Sequence, residues 1–367
     1  MVLFLHNRYR AAGGDERVVD DLLWLVREHL GEEAELFERD SAVVGRPRAA
    51  IGMLRGGLHP EDVAHAVRRT GADVVHAHNL APSLGWRALA AARGAGARVV
   101  AHLHQFRLVC AVGICFTDGR ECTRCHSRNT LPGLRHNCRG SLPEAAVYAS
   151  ALALWQRRAT AQLDAAIVPS EFARRRLAEL GVPLPQTHVL AHPARAFAER
   201  SYAAEGAYAL LTARLEPEKG LGVAVEACRT AQLPLVVAGE GSERSRFEGA
   251  PDVMFTGHVS DAELRTLRGA AKLALMPSLT AETFVLAAAE AMAAGVPVAA
   301  SEIGALPELV PAEWLAPAGD ARALAATIAT LAADRDAGAR ALSHARSRLD
   351  PVQLAAALAE IYRPPTT

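Results

Sequence analysis

The feature that most constrains the fold is the alternation of short apolar runs with alanine-rich helical segments. In the first half these runs are too short for helices and show no helical period, as expected for strands buried on both faces of a parallel sheet. The predicted strands there are Val2–Leu5, Asp73–His76, Arg98–His102, Ala165–Val168 and His188–Ala191. A second alternating unit starts at Ala207, with strands predicted at Tyr208–Thr212 and Leu235–Ala238. The chain is therefore predicted to be an α/β protein with two Rossmann-like doubly wound domains, whose ligands lie at the carboxyl ends of the strands.

The length of 367 residues is ample for two such domains. We expect an N-terminal domain over residues 1–195, with an irregular insert at 110–138, and a C-terminal domain over residues 196–350. Residues 196–206 are polar and suit a linker between the two. A last helix is predicted over residues 351–362.

Composition bears on location. Half of the residues are apolar, but no run approaches the ~20 residues that span a bilayer. No basic stretch precedes the first apolar run, so we expect no signal peptide and a cytoplasmic protein. In that compartment, six cysteines indicate a metal site or buried thiols before disulfides.

Charge is unevenly placed along the chain. Residues 1–195 carry 25 arginines and 19 acidic residues, against 15 basic and 21 acidic residues beyond them. The net positive first half favours an anionic or phosphate-bearing partner there, although a solvated arginine-rich surface explains the same imbalance. Lys219 and Lys272 are the two lysines among 40 basic residues, so each lysine is a candidate for chemistry.

The most informative stretch runs from Leu273 to Val310. It reads as a strand, a polar loop, an alanine-rich helix that stops at Gly295, and another strand. The amino end of such a helix is an anion site, here expected at the backbone of residues 283–286. Glu282 precedes the helix and Glu290 lies about 12 Å further along, at 1.5 Å per residue. This layout matches the sugar, diphosphate and ribose of a nucleotide sugar.

These residues resemble the E-x(7)-E signature of retaining group 1 glycosyltransferases, which have the GT-B fold of two Rossmann-like domains facing across a cleft. An isolated E-x(7)-E also fits a surface helix with two solvated glutamates. The flanking segments Gly295–Val298 and Gly304–Glu308 favour the glycosyltransferase. The family's usual form has Gly-Phe-Gly after the first glutamate, where this chain has Thr283, Phe284 and Val285. In this fold the last helix commonly crosses back to the first domain.

The resemblance implies a donor site on the second domain. Arg214 and Lys219, five positions apart after a predicted strand, can both reach one diphosphate, and they match the family's phosphate-binding element. Gly13 and Gly14 match its Gly-Gly-x-Glu loop, which faces the donor diphosphate. The complete set of expected donor-binding residues is Gly13, Gly14, Arg214, Lys219, Gly239, Gly241, His258, Val259, Glu282, Thr283, Phe284, Val285, Leu286 and Glu290. Of these, His258 and Val259 lie where the family contacts the nucleobase, and Glu282 is expected to be catalytic.

Two predicted strands end in histidines, which places imidazoles at the mouth of the first sheet. They are His76 and His78 after one strand, and His102 and His104 after the next. His104 best matches the family's functional histidine and is expected to be catalytic. His102 shares its face in an extended strand, so both stay candidates. Each histidine can also be a hydrogen-bonded residue at a strand end, with no part in the reaction.

The insert between Cys110 and Cys138 contains five of the six cysteines. Cys122 and Cys125 form a C-x-x-C pair, and two more thiols at loop spacing make a four-sulfur zinc site reasonable. Positions matching Cys110, Cys122, Cys125 and Cys138 recur in similar family inserts, while Cys115 and His126 are substitutes. Reduced thiols without metal are the open alternative.

The sequence thus predicts a retaining glycosyltransferase that moves a sugar from a nucleoside diphosphate, UDP before GDP or dTDP, to a hydroxyl group. The acceptor is a glycan, a lipid-linked sugar or a small natural product. No cofactor is expected for the chemistry, and no nucleic acid is expected as a partner. We also expect peripheral contact with the inner face of the membrane and a structural zinc ion. The alternatives are an epimerase, an inactive sugar-binding homologue, or a phosphorylase with pyridoxal phosphate on Lys219 or Lys272.

Overall fold

The computed structural model describes residues 1–10 and 13–364 and divides into two compact units. The first unit contains residues 1–117 and 122–193 and the chain from Pro351 on, and the second contains residues 118–121 and 194–350. The chain leaves the first unit two residues before the predicted boundary at 195. The last helix groups with the first unit.

Helices and strands alternate through the first unit. In chain order they are β1 Val2–Arg8, α1 Gly14–His29, β2 Ala34–Asp40, α2 Arg46–Arg55, α3 Pro60–Thr70, β3 Val74–Ala77, α4 Gly85–Gly94, β4 Arg98–His102, the short strands β5 Phe116–Thr117 and β6 Arg120–Glu121 (β6 belongs to the second unit), α5 Leu131–Arg135, α6 Leu142–Thr160, β7 Ala165–Val168, α7 Glu171–Glu179 and β8 Thr187–Val189. The sheet is parallel, in the order β2-β1-β3-β4-β7-β8. Two of its core clusters contain the fully buried Leu3, Val75 and Val99 and the nearly fully buried Phe106 and Leu177.

The second unit repeats the alternation. Besides short 3-10 turns at Ala203–Glu205, Pro217–Lys219 and Ala312–Trp314, its elements are β9 Tyr208–Thr212, α8 Leu221–Ala231, β10 Leu235–Ala238, α9 Arg244–Phe247, β11 Val253–Gly257, α10 Asp261–Gly269, β12 Ala271–Met276, α11 Leu286–Ala293, β13 Val298–Ser301, α12 Leu306–Leu309, β14 Leu315–Ala316, α13 Ala321–Ala333 and α14 Ala337–Leu349. The sheet order is β11-β10-β9-β12-β13-β14, again parallel. Helix α15, Pro351–Tyr362, returns to the first unit. The α/β prediction is confirmed.

Part of the stretch predicted as a linker packs on the second unit. The Ala198 amide donates to the Ala293 carbonyl, and the Ser201 hydroxyl donates to the Gly295 carbonyl at 2.6 Å. Residues 196–206 therefore carry structure of that unit rather than a free connection. Among the described residues, every helix is too short or too polar to cross a membrane.

Candidate functional site

The sheet of the second unit reverses its strand order between β9 and β12. β9 and β12 are neighbours in the sheet. The crossover after β9 leads to β10 on one side, and the crossover after β12 leads to β13 on the other side. The loops that follow these two strands therefore part to opposite faces and leave a crevice at their carboxyl ends, where α/β sheets bind ligands. Lys219 lies in the first loop and Glu282 in the second.

Lys219 and Glu282 meet in an ion pair at this crevice. The Lys219 Nζ atom lies 2.6 Å from Glu282 Oε2, and both side chains are largely but not fully buried, at 19% and 17% exposure. The Ser278 hydroxyl donates to the other carboxylate oxygen, Oε1. A partly buried charge pair of this kind holds both groups in one geometry while a ligand can still reach them.

Two glycines explain how the loops come so close. Gly220, at φ 70°, packs so tightly that an added Cβ would lie 1.9 Å from the Pro277 carbonyl oxygen. At Gly304, with φ 62°, an added Cβ would lie only 2.6 Å from the Glu282 amide nitrogen. The Ala305 amide also donates to the Glu282 carbonyl at 2.9 Å. The Gly304–Glu308 segment thus fixes the backbone of the loop that carries Glu282.

The helix of the E-x(7)-E segment, expected to start at Val285, starts one residue later. Helix α11 begins at Leu286, and Thr283–Val285 precede it in irregular backbone. Threonine, phenylalanine and valine lose side-chain freedom in a helix, which favours an extended chain there. Of the four backbone positions expected at the anion site, Leu286 alone lies in the first helical turn.

The remaining charged donor residues also have partners. Glu290 pairs with Arg268, which sequence reasoning missed. Arg214, at 65% exposure, lies 3.7 Å from Glu218. Glu290 is thus held by a neighbour within the second unit, whereas the Arg214 side chain stays largely exposed.

The other predicted donor residues lie in the loops after β10 and β11. Gly239 and Gly241 approach the backbone of residues 213–215, with an added Cβ at 1.9 Å from the Ala213 oxygen and at 2.4 Å from the Leu215 oxygen. Close packing of these two loops therefore accounts for both glycines. His258 is exposed and Val259 half-buried, just before α10.

In the first unit, the predicted histidines form one buried row. His76 and His78 on and after β3 pack against His102 and His104 on and after β4, with neighbouring ring centroids 4.5–5.5 Å apart. His192, after β8, joins the row at 5.4 Å from His102. Sequence reasoning missed His192, although it follows a strand as His104 does.

Hydrogen bonds anchor the row at two points. His78 Nδ1 and His104 Nε2 are 2.8 Å apart, so one of the two rings donates to the other. At the far end, His76 Nδ1 lies 2.7 Å from the hydroxyl of Tyr362 on α15. The last helix therefore anchors the end of the row that is opposite His104.

Burial keeps these imidazoles neutral. It lowers the pKa of His76 to about 3 and holds those of His78, His102 and His192 well below the usual 6.5, because a charged ring loses its hydration. Burial also lowers the pKa of His104, although the carboxylates of Asp15 and Glu16 oppose the effect. His104 is thus a neutral hydrogen-bonding group at physiological pH.

The glutamate of the Gly-Gly-x-Glu loop, Glu16, has a structural role. Glu16 accepts hydrogen bonds from the amides of Tyr9 at 2.9 Å and Gly13 at 2.8 Å. Burial favours a raised pKa for Glu16, but the hydrogen bonds from His6, Tyr9 and Gly13 outweigh it and lower the pKa to about 2. Gly13 caps α1 and Gly14 opens it. The Gly13 amide thus serves Glu16 in this conformation.

His102, His104 and His192 offer ring nitrogens within 4.8 Å of one another, close enough to share a metal ion. The rings of His102 and His104, however, lie only 18° from parallel. Lone pairs in parallel stacked rings run side by side and do not converge on one point. The stacked arrangement of these rings therefore disfavours metal coordination.

The cysteines of the insert surround one small cavity. Its volume is about 20 Å³, and Cys110, Cys115, Cys122, Cys125 and Cys138 all line it. Within residues 1–10 and 13–364, none of the five forms a disulfide, and no three of their sulfurs lie within 4.8 Å of one another. His126 does not line this cavity, and its ring packs against Gly181.

The comparisons place both units in one family. Residues 7–193 match the model described as glycosyl transferase 4-like domain, and residues 206–334 match glycosyl transferases group 1. The amylovoran biosynthesis glycosyltransferase AmsK of Erwinia amylovora is 37% identical over 142 residues, or 33% of this chain and 35% of the relative. A GDP-mannose-dependent alpha-(1-6)-phosphatidylinositol dimannoside mannosyltransferase of Mycobacterium tuberculosis is 34% identical over 175 residues, or 42% of this chain and 45% of the relative. The matches thus span less than half of each relative's length.

Solved structures match over nearly the whole chain. Sucrose-phosphate synthase from Thermosynechococcus elongatus has a TM-score of 0.69 at 19% identity, covering 99% of this chain and 98% of that one. HepE of Anabaena, in complex with UDP, has a TM-score of 0.64 at 19% identity, covering 98% of each chain. At such identity the likeness concerns the fold. Since the first family model covers half of the chain and the second continues it, the chain belongs to the group 1 glycosyltransferases and has the GT-B fold.

Proposed function

We propose that the protein transfers a glycosyl group from a nucleoside diphosphate sugar to a hydroxyl group, with retention of configuration. The observation that carries the proposal is the contact of Lys219 and Glu282 where the second sheet reverses its order. The relatives support the donor class: one is named as GDP-mannose-dependent, and HepE was solved with UDP-glucose. UDP is our first choice of nucleotide, before GDP and dTDP.

Each donor residue then has a role. Lys219 and Arg214 bind the diphosphate, and the Leu286 amide at the start of α11 supports them. Glu282 is the catalytic carboxylate, which orients the sugar through its hydroxyls. Glu290, held by Arg268, takes the ribose hydroxyls. Gly13, Gly14, Gly239, Gly241, His258, Val259 and residues 283–285 complete the proposed donor set.

The acceptor binds the first unit beside His104. In the transfer step, the acceptor oxygen bonds to the anomeric carbon as the bond from that carbon to the diphosphate oxygen breaks. In a route on one face of the sugar, the hydroxyl proton passes to the departing diphosphate oxygen. A neutral His104 can hold the acceptor hydroxyl by a hydrogen bond without adding charge.

Cations of the protein suffice to stabilise the leaving diphosphate, so the chemistry needs no bound cofactor. The pyridoxal-dependent alternative is disfavoured by the positions of the two lysines. Lys219 pairs with Glu282, and Lys272 donates to the Ala204 carbonyl. Neither amine can form a Schiff base with pyridoxal phosphate without losing that contact.

We also propose that the protein works in the cytoplasm and contacts the inner face of the membrane through α2. This helix exposes Ile51 at 47% and Leu54 at 43% beside the exposed Arg46, Arg48 and Arg55. Apolar and basic side chains together suit an anionic lipid surface. Sedimentation with vesicles containing phosphatidylglycerol should carry the protein down, and equal sedimentation with neutral vesicles would remove the basic part of the proposal.

The thiol cavity is proposed as a structural zinc site with Cys110, Cys122, Cys125 and Cys138 as ligands. Its volume of about 20 Å³ is enough for one ion, and metal binding would add order to a glycine-rich insert. We expect about one zinc per chain by elemental analysis, lost in Cys122→Ser with Cys125→Ser while UDP binding stays. Metal-free native protein whose insert thiols all react freely would refute the site.

The donor assignment is tested with a matched pair of arginines. Arg214, at 65% exposure, pairs with Glu218, and Arg229, at 72%, pairs with Glu226 on its own helix. Saturating UDP should raise the melting temperature, since ligand at 100 times its Kd adds about 2.7 kcal/mol of stability. Arg214→Ala should weaken UDP binding and Arg229→Ala should not, while Glu290→Ala should weaken it further. Equal affinity in all variants, or no shift with UDP, GDP, dTDP or ADP, would refute the donor site.

A further inference from the structure

The first unit contains two adjoining cavities, one of them lined by His104. One has a volume of about 150 Å³ and the other about 510 Å³. Tyr9, Met53, Ala81, Pro82 and Arg107 line both, so the two are neighbours along a shared wall. All of their lining residues belong to the first unit.

The smaller cavity is an apolar chamber that starts at the histidine row. His78, His102 and His104 line one part of it, and apolar residues such as Leu89, Ala101 and Leu163 line another part together with α6. Ala151 and Ala159 on α6 contribute only methyl groups, so the helix leaves space that larger side chains would fill. A mostly apolar cavity of about 150 Å³ has room for a guest the size of benzene.

Two tryptophans close the chamber. The rings of Trp86 and Trp155 lie 5.8 Å apart, and the guanidinium of Arg158 lies over both, at 5.3 and 5.1 Å. Trp155 Nε1 donates to the carbonyls of Met53 and Leu54, each at 3.1 Å. These contacts hold the tryptophans in place, so the chamber is built and not a gap left by mobile side chains.

Polar atoms in the chamber wall lack partners. His102 is 1% exposed, and among the described residues neither of its ring nitrogens has a hydrogen-bond partner. Gln156 is 2% exposed, donates to the carbonyls of Leu108 and Ser127, and leaves its Oε1 without a partner. Buried polar atoms in this state cost stability unless a ligand or water satisfies them.

The larger cavity is basic. Arg10, Arg46, Arg107 and Arg139 line it, against Glu144 as its one acidic residue. Arg139 lies 3.4 Å from Glu144 and 4.2 Å from the ring centre of Tyr148. Arg107 donates to Gln105 at 2.8 Å and lies 5.1 Å from the ring centre of Tyr9. Two of the guanidinium groups are thus oriented before any ligand binds, which suits an anion.

We propose that the acceptor is an anionic amphiphile whose phosphate or carboxylate binds the arginine-lined cavity and whose apolar group of about six carbons enters the chamber beside His104. This deepens the proposed function, on which it rests, by naming the chemical class of the acceptor. A neutral sugar would leave three arginine charges uncompensated and the apolar chamber empty. Inorganic phosphate would leave the chamber empty as well.

The test uses the full chain and small probes in isothermal titration. Hexyl phosphate should bind at least tenfold tighter than either inorganic phosphate or hexyl glucoside, because only it supplies both the anion and the chain. Heptanoate then distinguishes a carboxylate from a phosphate as the preferred anion. Hexyl phosphate that binds no tighter than both controls would overturn the proposal.

Two variants with matched controls assign the cavities. Ala159→Phe fills the chamber, whereas Ala153→Phe adds the same bulk on the same helix outside it. Arg46→Ala removes a lining charge, whereas Arg48→Ala removes one from the same helix outside the lining. Ala159→Phe should reduce hexyl phosphate affinity at least tenfold and leave inorganic phosphate unchanged, and Arg46→Ala should weaken both. If Ala159→Phe does not fold, Ala159→Leu makes the same test.

Donor binding separates this inference from the proposed function. If UDP binds and hexyl phosphate shows no preference, the acceptor class is wrong and the glycosyltransferase proposal stands. If hexyl phosphate binds as expected and no nucleotide does, the donor site fails and the amphiphile site stands. Unchanged hexyl phosphate affinity in Ala159→Phe would show that the chain does not enter the chamber.

Discussion

The two units place their candidate residues at equivalent ends of parallel sheets but build them from opposite chemistry. In the second unit the central contact is a charge pair, Lys219 with Glu282 at 2.6 Å, and both groups stay partly exposed. In the first unit five imidazoles stack in a row and are at least 91% buried. One region keeps its charges within reach of solvent, and the other excludes charge.

This difference shows that the net charge of one half of the chain does not predict where the charged residues of a site lie. The cations proposed to meet the diphosphate, Lys219 and Arg214, lie in the half that is net acidic, and the arginine-rich half carries the neutral histidines. A leaving diphosphate is stabilised by cations placed in the right loops, and a sum of charges over residues 196–367 does not show that placement. Local arrangement at the strand ends decides the function.

The largest difference between the two units should be the loss of stability at low pH. The folded histidines of the row have pKa values below the unfolded value near 6.5, so the unfolded chain binds more protons as pH falls. Their contribution is therefore complete above pH 6.5 and is lost as pH falls from 6.5 toward the folded pKa, about 3 for His76. Between pH 7 and 5, each such histidine lowers the free energy of unfolding by about 2 kcal/mol.

Hydrogen exchange read out peptide by peptide measures this loss in each unit. Amides of β3 and β4 should lose protection between pH 7 and 5, after correction for the intrinsic rate, while those of β9 and β12 keep more of theirs. His102→Leu should flatten the pH dependence of the first unit. Equal acid sensitivity in both units would contradict the contrast drawn between charged and neutral sites.

Loss of the catalytic carboxylate should have the next largest effect. Glu282→Ala removes the partner of Lys219 and the proposed contact with the donor sugar, so kcat/KM should fall at least a hundredfold, about 2.7 kcal/mol. Glu302→Ala removes an exposed carboxylate after the neighbouring strand β13 and should leave the rate unchanged. A folded Glu282→Ala protein with near-normal kinetics would show that the charge pair is structural.

The fold was predictable where strands are buried on both faces. The predicted strands Arg98–His102, Ala165–Val168, Tyr208–Thr212 and Leu235–Ala238 coincide with β4, β7, β9 and β10. Strand β2 was missed because its sequence AELFERD is mostly polar and half-buried, as suits an edge strand. Edge strands carry a weaker apolar signal, and sequence reasoning overlooks them for that reason.

The site was predictable residue by residue but not contact by contact. The resemblance named Lys219 and Glu282, yet they are 63 positions apart, and spacing cannot show that they touch. Arg268 gave no signal, since it meets Glu290 from a different helix. His192 did give one, because a histidine directly after a predicted strand at the same sheet edge belongs with His78 and His104.

The smallest expected effect compares the two ends of the histidine row. His104 lines the chamber proposed for the acceptor, whereas His76 bonds Tyr362 at the other end. His104→Ala should therefore lower the transfer rate at least tenfold, about 1.4 kcal/mol, with UDP affinity kept. His76→Ala should lower the melting temperature more than the rate, because it leaves the buried Tyr362 hydroxyl without its partner.

Tyr362→Phe separates the two explanations for any loss in His76→Ala. It removes the same hydrogen bond from the α15 side and leaves all five rings in place, so it should reproduce the fall in melting temperature with nearly normal transfer. If His76→Ala instead loses transfer as severely as His104→Ala while Tyr362→Phe stays active, the whole row serves the reaction. The division into an active end and an anchoring end would then be wrong.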